Sequence, residues 1–278
     1  MKTIARHINE ALSNYYSAGE ISALTRIIAT ELLGIPQMTF FLKDDVTLTA
    51  EQQTLLDNAI ERLKKQEPIQ YILGYSDFCG LRFKVTPATL IPRPETSELV
   101  EWIASETAGN CSILDIGTGS GCIAVSLAHK LPQSKVTAWD ISHEALAVAT
   151  ENSKANGQAV TFEHVDILAY EPTGEQFDII VSNPPYIKEN EKEAMHANVL
   201  DWEPHTALFV PDSDPLLFYR TIAKKGLSLL KPEGTIYFEI NRAHGAETME
   251  MLAGFGYTGI ELRKDFADND RMIKAIKN

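Results

Sequence analysis

The chain has 278 residues, with 25 Lys and Arg against 38 Asp and Glu, a formal net charge of −13, and 44% hydrophobic residues. This length and composition supply a packed core and exclude wholesale disorder. The acidic balance counts against a large nucleic-acid footprint, because duplex-binding proteins gain most of their affinity from clustered Lys and Arg. No run of about eighteen apolar residues occurs, and residues 1–8 become polar too early for a signal peptide. The sequence therefore predicts a cytoplasmic protein without a membrane partner.

Cysteine and histidine are not spaced as metal ligands. Cys79, Cys111 and Cys122 show neither C-x-x-C spacing nor a local pairing with His, so we interpret them as small buried hydrophobic residues. The seven histidines include no H-E-x-x-H pattern. The sequence predicts no metal site.

The first 75 residues are predicted to be helical. Ile21, Leu24 and Ile28 recur at helical spacing, and residues 49–52 form a capping box before an apolar stripe that ends ahead of Pro68. We expect a bundle of three or four helices over residues 1–75. It carries no catalytic constellation, which favours a substrate-recognition domain, and the alternative is an extension that only packs.

Residues 76–93 are predicted to form a linker. An alternating stretch with Gly80 at a turn position indicates a β-hairpin, and Pro87 and Pro92 follow it. A third domain, residues 94–278, begins with a helix over residues 95–104.

Beyond residue 110, predicted strands and helices alternate. The strands cover 112–115, 136–140, 160–165, 177–181, 235–240, 259–263 and 272–276, and the helices cover 123–129, 144–154, 216–230 and 246–255. Such alternation predicts an open α/β sheet of seven strands, mixed but mostly parallel, with helices on both faces.

A glycine loop follows the first strand of this sheet. Asp115 leads into Gly117, Thr118, Gly119, Ser120 and Gly121. Cys122 breaks the dinucleotide fingerprint, and no Gly-Lys-Ser/Thr is present for a P-loop. A carboxylate before the glycines repels phosphate and accommodates a cationic amino acid headgroup, which S-adenosylmethionine possesses.

Acidic residues also follow the next two strands. Asp140 ends the second strand, where a carboxylate accepts hydrogen bonds from ribose hydroxyls. Asp166 is placed at the end of the third strand, where it would accept from an adenine amino group while Ile167 contacts the ring. The alternative for both aspartates is capping of the following helix.

The motif Asn183-Pro184-Pro185-Tyr186 follows the fourth strand. Two prolines remove two backbone donors and stiffen the turn, so its carbonyls face outward as acceptors. The Asn183 side-chain oxygen and the Pro184 carbonyl would together accept both N–H groups of a planar nitrogen, and Tyr186 would wall the substrate. The alternative is a proline-rich turn without a role.

These motifs resemble those of class I S-adenosylmethionine-dependent methyltransferases with a Rossmann-like domain. The wider pattern resembles bacterial release factor glutamine methyltransferases, and the resemblance covers nearly the whole chain. It is carried by residues 68–74, Phe78, 86–96, 113–121, 183–186, 203–204 and 207–208.

The resemblance implies methylation of the side-chain nitrogen N5 of the glutamine in the Gly-Gly-Gln motif of class I peptide chain release factors. S-adenosylmethionine is the implied cofactor, S-adenosylhomocysteine the product, and the release factor the protein partner; we expect a monomer that does not bind nucleic acid directly.

Residue roles follow from the same resemblance. Residues 117–121 would line the methionine end of the cofactor, Asp140 its ribose, and residues 183–186 the glutamine, with Asn183 also against the cofactor. Asn183 and Pro184 would be catalytic, and residues 93–96 would close the site. The family usually has Glu two places after Glu95; Ser97 stands there, so no role carries over to Ser97 or Glu98.

Two other functions fit parts of this sequence pattern. An N6-adenine methyltransferase acting on nucleic acid would present the same two hydrogens to Asn183 and Pro184, but the acidic charge argues against it. A noncatalytic cofactor-binding module is disfavoured by the intact motif at residues 183–186.

Overall fold

The computed structural model describes residues 2–42 and 46–278. Contacts divide the chain into two units. The helical unit comprises the described residues up to Gly74 together with His196–Trp202, and the sheet unit comprises Tyr75–Met195 and Glu203–Asn278. The domains expected from the sequence, 1–75, 76–93 and 94–278, remain predictions. The contact division differs from them in grouping His196–Trp202 with the helices.

The helical unit is built from short helices around one apolar core. Its α-helices before Gly74 are α1 (Lys2–Leu12), α2 (Ala18–Ile27), α3 (Gln37–Leu42), α4 (Ala50–Leu63) and α5 (Ile69–Leu73), and a π-helix at Ile28–Leu32 continues α2. The predicted capping box is confirmed, since Thr49 Oγ1 accepts from Gln52 N and Gln52 Oε1 accepts from Thr49 N. The sequence predicted three or four helices, whereas the described residues up to Gly74 form five α-helices. The prediction missed α5 because this helix is too short to leave a periodic pattern.

The segment His196–Trp202 contains the short helix α9 (Ala197–Leu200). Within the helical unit, the indole nitrogen of Trp202 donates to the Lys65 carbonyl at 3.0 Å. This long-range contact, across 137 positions, ties the segment to the end of α4.

The sheet unit begins with the predicted hairpin, β1 (Tyr75–Phe78) and β2 (Leu81–Lys84). Cys79 and Gly80 both have positive φ, 49° and 77°, which is the geometry of a two-residue turn that matches the twist of a hairpin. Asn152 holds the second strand in place, because its side chain accepts from Lys84 N and donates to Lys84 O.

The main sheet has seven strands, as predicted. Its elements are α6 (Pro94–Glu106), β3 (Ser112–Ile116), α7 (Cys122–Lys130), β4 (Lys135–Asp140), α8 (His143–Ala155), β5 (Val160–His164), β6 (Phe177–Ser182), α10 (Leu217–Leu229), β9 (Leu230–Glu239), α11 (Gly245–Gly254), β10 (Thr258–Lys264) and β11 (Asp270–Ile276). The strand order is β10-β11-β9-β6-β3-β4-β5. Strand β11 pairs antiparallel with both of its neighbours, β10 and β9, and the other neighbouring strands pair in parallel. The predicted fold class is confirmed.

Apolar residues on both faces of the strands explain this layered arrangement. Along β6, Ile179 and Val181 pack into a cluster with α6 and α7, whereas Ile180 packs into a second cluster with α10. Successive side chains of a strand point to opposite faces, so a continuous apolar run requires cover on both.

An excursion after Tyr186 was not predicted. It contains β7 (Ile187–Lys188), a 3₁₀ turn at Glu189–Ala194, α9, a second 3₁₀ turn at His205–Ala207 and β8 (Phe209–Val210), and β7 pairs with β8 in parallel. Two-residue strands are too short to give an alternating pattern. Within residues 2–42 and 46–278, no helix is both long and apolar enough to cross a lipid bilayer.

Candidate active site

The topology opens a crevice between β3 and β6. These two strands are neighbours, but the chain leaves β3 toward β4 and β5 and then returns to β6 on the other side. At such a switch point the loops after the two strands diverge, and ligands bind beyond the carboxyl ends. Asp115–Gly121 lies at the end of β3 and the Asn183–Tyr186 motif follows β6, so the structure brings the two predicted motifs to this edge of the sheet.

The glycine loop is held open by its backbone. Gly117 N and Thr118 N donate to the Trp139 carbonyl at 2.8 and 3.0 Å. Gly117 and Gly119 have φ of 76° and 56°, and an added Cβ at either would meet no atom within 4 Å. A Cβ at Gly121 would instead lie 3.0 Å from that of Ala149. The first two glycines thus border open space, and the third permits close packing against α8.

Asp115 is buried with one carboxylate oxygen unpaired. Thr118 Oγ1 donates to Oδ2 at 2.6 Å, while Oδ1 has no hydrogen-bond partner among the residues that the structure describes. Burial raises the pKa of Asp115 to about 7; Thr118 opposes the rise and Asp140 adds to it. A buried carboxylate oxygen without a partner is costly unless a donor reaches it, and a cationic amino group is the strongest such donor.

Asp140 supports the glycine loop directly. Its Oδ2 accepts from Gly119 N at 2.8 Å and its Oδ1 from Ser142 N at 2.9 Å. Burial raises the pKa of Asp140, although these backbone donors oppose the rise. The cap of α8 is Ser142, whose hydroxyl accepts from Ala145 N, so Asp140 does not serve as that cap.

Asp166 does not lie at the end of a strand, where the sequence predicted it. Strand β5 ends at His164, so Asp166 lies two residues beyond the strand instead of ending it. Its Oδ1 accepts from Leu168 N at 2.8 Å, which stabilises the following turn. Ile167 is buried in the apolar cluster that includes Trp139. The adenine contacts of Asp166 and Ile167 stay predictions.

The motif after β6 leaves two acceptors unused. Ser182 Oγ donates to the Ile116 carbonyl at 2.6 Å and joins the end of β6 to that of β3. Asn183 Nδ2 donates to Thr96 Oγ1 at 3.4 Å. Within the described part of the chain, Asn183 Oδ1 and the Pro184 carbonyl oxygen accept no hydrogen bond. Pro184 is buried and Pro185 is half-buried.

A buried carboxylate next to this motif was not predicted from the sequence. Glu239 ends β9 at 2% exposure, accepts from Thr96 Oγ1 at 2.6 Å and from the Tyr186 hydroxyl at 3.5 Å. Burial raises the pKa of Glu239 to about 6, while Thr96 and Arg271 oppose the rise. The available signal was a charged residue directly after the apolar run 236–238, since Glu is almost never fully buried unless paired.

A second buried carboxylate holds the segment before α6. Glu203 is 3% exposed, pairs with the Arg93 guanidinium and accepts from Ile91 N at 3.2 Å. Of residues 93–96, predicted to close the site, the structure places Thr96 against Asn183 and ties Arg93 to Glu203.

A cavity of about 340 Å³ adjoins Tyr186 in the sheet unit. Charged, polar and apolar side chains line it together, and the lining residues are Tyr186, Ile187, Glu191, Met195, Asn241, Arg242 and Arg271. Asn241 Nδ2 donates to the Tyr186 carbonyl at 3.2 Å and so fixes one wall to the motif. Among the residues described, no cluster of three His, Cys, Asp or Glu is arranged to hold a metal ion.

Solved structures similar to this chain show its fold. A methyltransferase from Pyrococcus furiosus matches with a TM-score of 0.54 at 17% identity, covering 83% of this chain and 100% of that one. A T. thermophilus 16S rRNA N2 G1207 methyltransferase, solved with AdoMet and guanosine, matches with a TM-score of 0.54 at 16% identity, covering 73% and 50%. At this identity the two matches show the fold alone, which this chain shares with two proteins of the methyltransferase class.

Family models and curated relatives narrow the class. A methyltransferase small domain matches residues 95–201, and a PrmC N-terminal domain matches residues 5–74. Release factor glutamine methyltransferases from Bacteroides thetaiotaomicron and Flavobacterium psychrophilum are 49% and 46% identical over 276 and 270 residues, covering 99% and 95% of each chain. The chain belongs to the release factor glutamine methyltransferase family. The resemblance identified from the sequence is confirmed.

The residues present fit S-adenosylmethionine, the cofactor of this class. Asp115 offers a buried, unpaired carboxylate oxygen, and Gly117 and Gly119 border space that a side chain would fill. When bound, the cofactor supplies an electrophilic methyl group on a positively charged sulfur.

Proposed function

We propose that this protein methylates the side-chain amide nitrogen of the glutamine in the Gly-Gly-Gln motif of class I peptide chain release factors. One observation carries the proposal: Asn183 Oδ1 and the Pro184 carbonyl are two acceptors, on adjacent residues of one stiff turn, that accept nothing within the described chain. A primary amide offers two N–H donors, which match this pair. The family membership supplies the substrate class.

These two acceptors would compensate for the weak nucleophilicity of the substrate nitrogen. An amide nitrogen is a weak nucleophile because its lone pair is delocalised into the carbonyl. Holding both hydrogens in fixed positions aims the remaining electron pair and converts an encounter into an oriented displacement. Residues 117–121 and Asp115 would hold S-adenosylmethionine, which would supply the methyl group and keep the electron pair of the broken carbon–sulfur bond. The substrate nitrogen would then lose one N–H proton to water. Asn183 and Pro184 are the catalytic residues of this proposal.

The other residue roles belong to the same proposal. Residues 117–121 and Asp115 would hold the methionine end of the cofactor, Asp140 the ribose, and Asp166 with Ile167 the adenine. The Tyr186 ring would line one side of the glutamine-binding site, since its hydroxyl is directed at Glu239. The cavity beside Tyr186 would take the residues that flank the glutamine, and the helical unit would dock the rest of the release factor.

We also propose that the protein acts as a monomer in the cytoplasm, where its substrate works in translation termination, and without direct contact to nucleic acid. The net charge of −13 supports the last point. Sedimentation of the purified protein at micromolar concentration tests the monomer, and a concentration-dependent dimer would overturn it.

The test offers labelled S-adenosylmethionine to the full chain with an intact release factor, its isolated Gly-Gly-Gln peptide, duplex DNA and RNA in parallel. We expect the label on the glutamine of the intact factor and far less on the peptide. Label on nucleic acid alone would overturn the assignment in favour of the N6-adenine alternative. Equal labelling of peptide and intact factor would remove the docking role of the helical unit.

A variant pair tests the acceptor geometry. Asn183→Ala should lower kcat by about 100-fold or more, as loss of one positioned hydrogen-bonding group typically does, with cofactor affinity within a few fold. Asn110→Ala is the matched control, because Asn110 is exposed and precedes β3 at the other end of that strand. Undiminished turnover in Asn183→Ala would show that the two acceptors are not the substrate site.

A further inference from the structure

A chain of hydrogen bonds runs from the methyl-acceptor motif to a buried carboxylate. Asn183 Nδ2 donates to Thr96 Oγ1 at 3.4 Å, and Thr96 Oγ1 donates to Glu239 Oε2 at 2.6 Å. Thr96 and Glu239 are each 2% exposed, so water does not compete for these bonds. The three residues come from the loop after β6, the first turn of α6 and the end of β9.

The direction of each bond is fixed by the number of hydrogens available. An ionised carboxylate only accepts, and a threonine hydroxyl has a single hydrogen. Because Thr96 gives that hydrogen to Glu239, its oxygen can only accept from Asn183. The Asn183 side chain must therefore turn its NH₂ toward Thr96. The other atom bonded to Cγ, the oxygen Oδ1, then points away from Thr96.

The orientation of this amide decides whether the site accepts a primary amide. With Oδ1 outward, Asn183 and the Pro184 carbonyl present two acceptors. With Nδ2 outward, a donor would face the N–H groups of the substrate, and a buried donor facing a donor costs the hydrogen bond and its desolvation. Asparagine has no intrinsic preference between the two orientations, so its neighbours must select one.

We propose that Thr96 and Glu239 are positioning residues that lock the Asn183 side-chain amide with its oxygen toward the substrate nitrogen. The inference rests on the proposed function and deepens it. Glu239 also accepts from the Tyr186 hydroxyl at 3.5 Å, so one carboxylate is linked to both ends of the four-residue motif. The Glu239 carboxylate thus fixes the direction of Asn183 Oδ1 and also restrains the Tyr186 ring, which would line the substrate site.

The groups around Glu239 make the lock sensitive to pH. Arg271 on β11 favours the ionised carboxylate, Glu95 on α6 disfavours it, and the Tyr186 hydroxyl donates to it. Tyr219 on α10 donates to the Glu239 backbone carbonyl at 3.2 Å. Burial outweighs the favourable contacts and raises the pKa of Glu239 to about 6.

Protonation reverses the chain of donors. Below about pH 6 the Glu239 carboxyl carries a proton that it can donate to Thr96 Oγ1. The Thr96 hydroxyl is then free to donate to Asn183, and the amide can turn its oxygen inward. We expect kcat at saturating cofactor to fall as the pH drops from 7 to 5.

The kinetic experiment uses Thr96→Val, Thr96→Ser and Glu239→Gln in the full chain with an intact release factor. Thr96→Val removes the hydroxyl at nearly constant volume. Because the amide then has no neighbour that selects one orientation, kcat should fall by about twofold or more, with KM and cofactor affinity within a few fold. Thr96→Ser restores the hydroxyl and should recover the wild-type kcat. Glu239→Gln should abolish the fall of kcat between pH 7 and 5.

Thr248→Val is the matched control. Thr248 is 0% exposed on α11, and its hydroxyl donates to the His244 carbonyl one turn earlier, outside the chain from Asn183 to Glu239. Its kcat and pH profile should equal those of the wild type. If Thr96→Val keeps the full wild-type kcat, or if Glu239→Gln retains the acidic fall, the positioning role is wrong.

A measurement without substrate separates this inference from the proposed function. In ¹⁵N-labelled protein, the Asn183 side-chain NH₂ signals, assigned by their loss in Asn183→Ala, should titrate with a midpoint near pH 6. That titration should vanish in both Thr96→Val and Glu239→Gln. An unchanged titration in either variant would overturn the lock, whereas a wild-type protein that titrates as expected but does not methylate a release factor would overturn only the proposed function.

Discussion

Replacing Asp115 by Asn should make the protein without cofactor more stable at neutral pH and weaken its hold on the cofactor. Asp115 is fully buried, and burial raises its pKa from the ordinary 3.8 to about 7. Each pKa unit corresponds to about 1.4 kcal/mol, so the ionised carboxylate costs the folded state roughly 4 kcal/mol. Asparagine keeps an oxygen for the Thr118 hydroxyl but carries no charge.

The sign of the pH dependence follows from linkage. Because the folded-state pKa of Asp115 lies above its unfolded-state value, the stability that its protonated form contributes is complete below about pH 4 and is lost as the pH rises to about 7. Asp115→Asn lacks this loss. Burying the new NH₂ offsets part of the gain by about 1–3 kcal/mol, so we expect a net gain of about 2 kcal/mol at pH 8 and less at pH 5.

Urea unfolding of the cofactor-free protein at pH 5, 6, 7 and 8 measures the effect, with Asp178→Asn as control. Partial burial alone would raise the pKa of Asp178, but hydrogen bonds from Lys231 and Ser112 outweigh it and hold that pKa below its ordinary value. The control should therefore lose stability at pH 8. Calorimetry should show about 10- to 150-fold weaker cofactor binding in Asp115→Asn, the loss of one charge-assisted contact. Equal cofactor affinity, or lower stability than wild type at pH 8, would refute the reasoning.

Two further predictions concern packing. Glu203→Gln should lower kcat and the midpoint of thermal unfolding, because it leaves the half-buried Arg93 without its countercharge; cofactor titration should show unchanged affinity. Gly226→Ala should destabilise the protein by about 1–3 kcal/mol in urea, since the new Cβ would lie 2.6 Å from the Tyr257 hydroxyl. Gly254→Ala, in open space at the end of α11, should instead stabilise it by up to about 1 kcal/mol. Equal effects of the two alanines would contradict the packing argument.

Contiguous patterns made much of this molecule predictable. The run from Asp115 to Gly121 and the motif from Asn183 to Tyr186 are each a single loop, and their chemistry is written in adjacent residues. The central strands β3 and β6 were predictable because each is apolar over most of its length, as a parallel strand covered on both faces must be.

Side chains that act through distant partners were not predictable in the same way. Thr96 and Glu239 lie 143 positions apart and meet only because β9 and α6 pack together. Glu203 reaches Arg93 across 110 positions. A single sequence marks such residues only as polar groups within or beside apolar segments. Neither their partner nor their orientation can be derived before the fold is known.

The excursion of the chain at His196–Trp202 has a practical consequence for protein engineering. The polypeptide passes between the two units three times, at residues 74–75, 195–196 and 202–203. Deleting the first 74 residues would therefore remove the helices that α9 is grouped with. It would also leave the Trp202 indole without its hydrogen-bond acceptor, the Lys65 carbonyl. Exchanging the helical unit between relatives requires two grafts, one at the N-terminus and one inside the sheet unit.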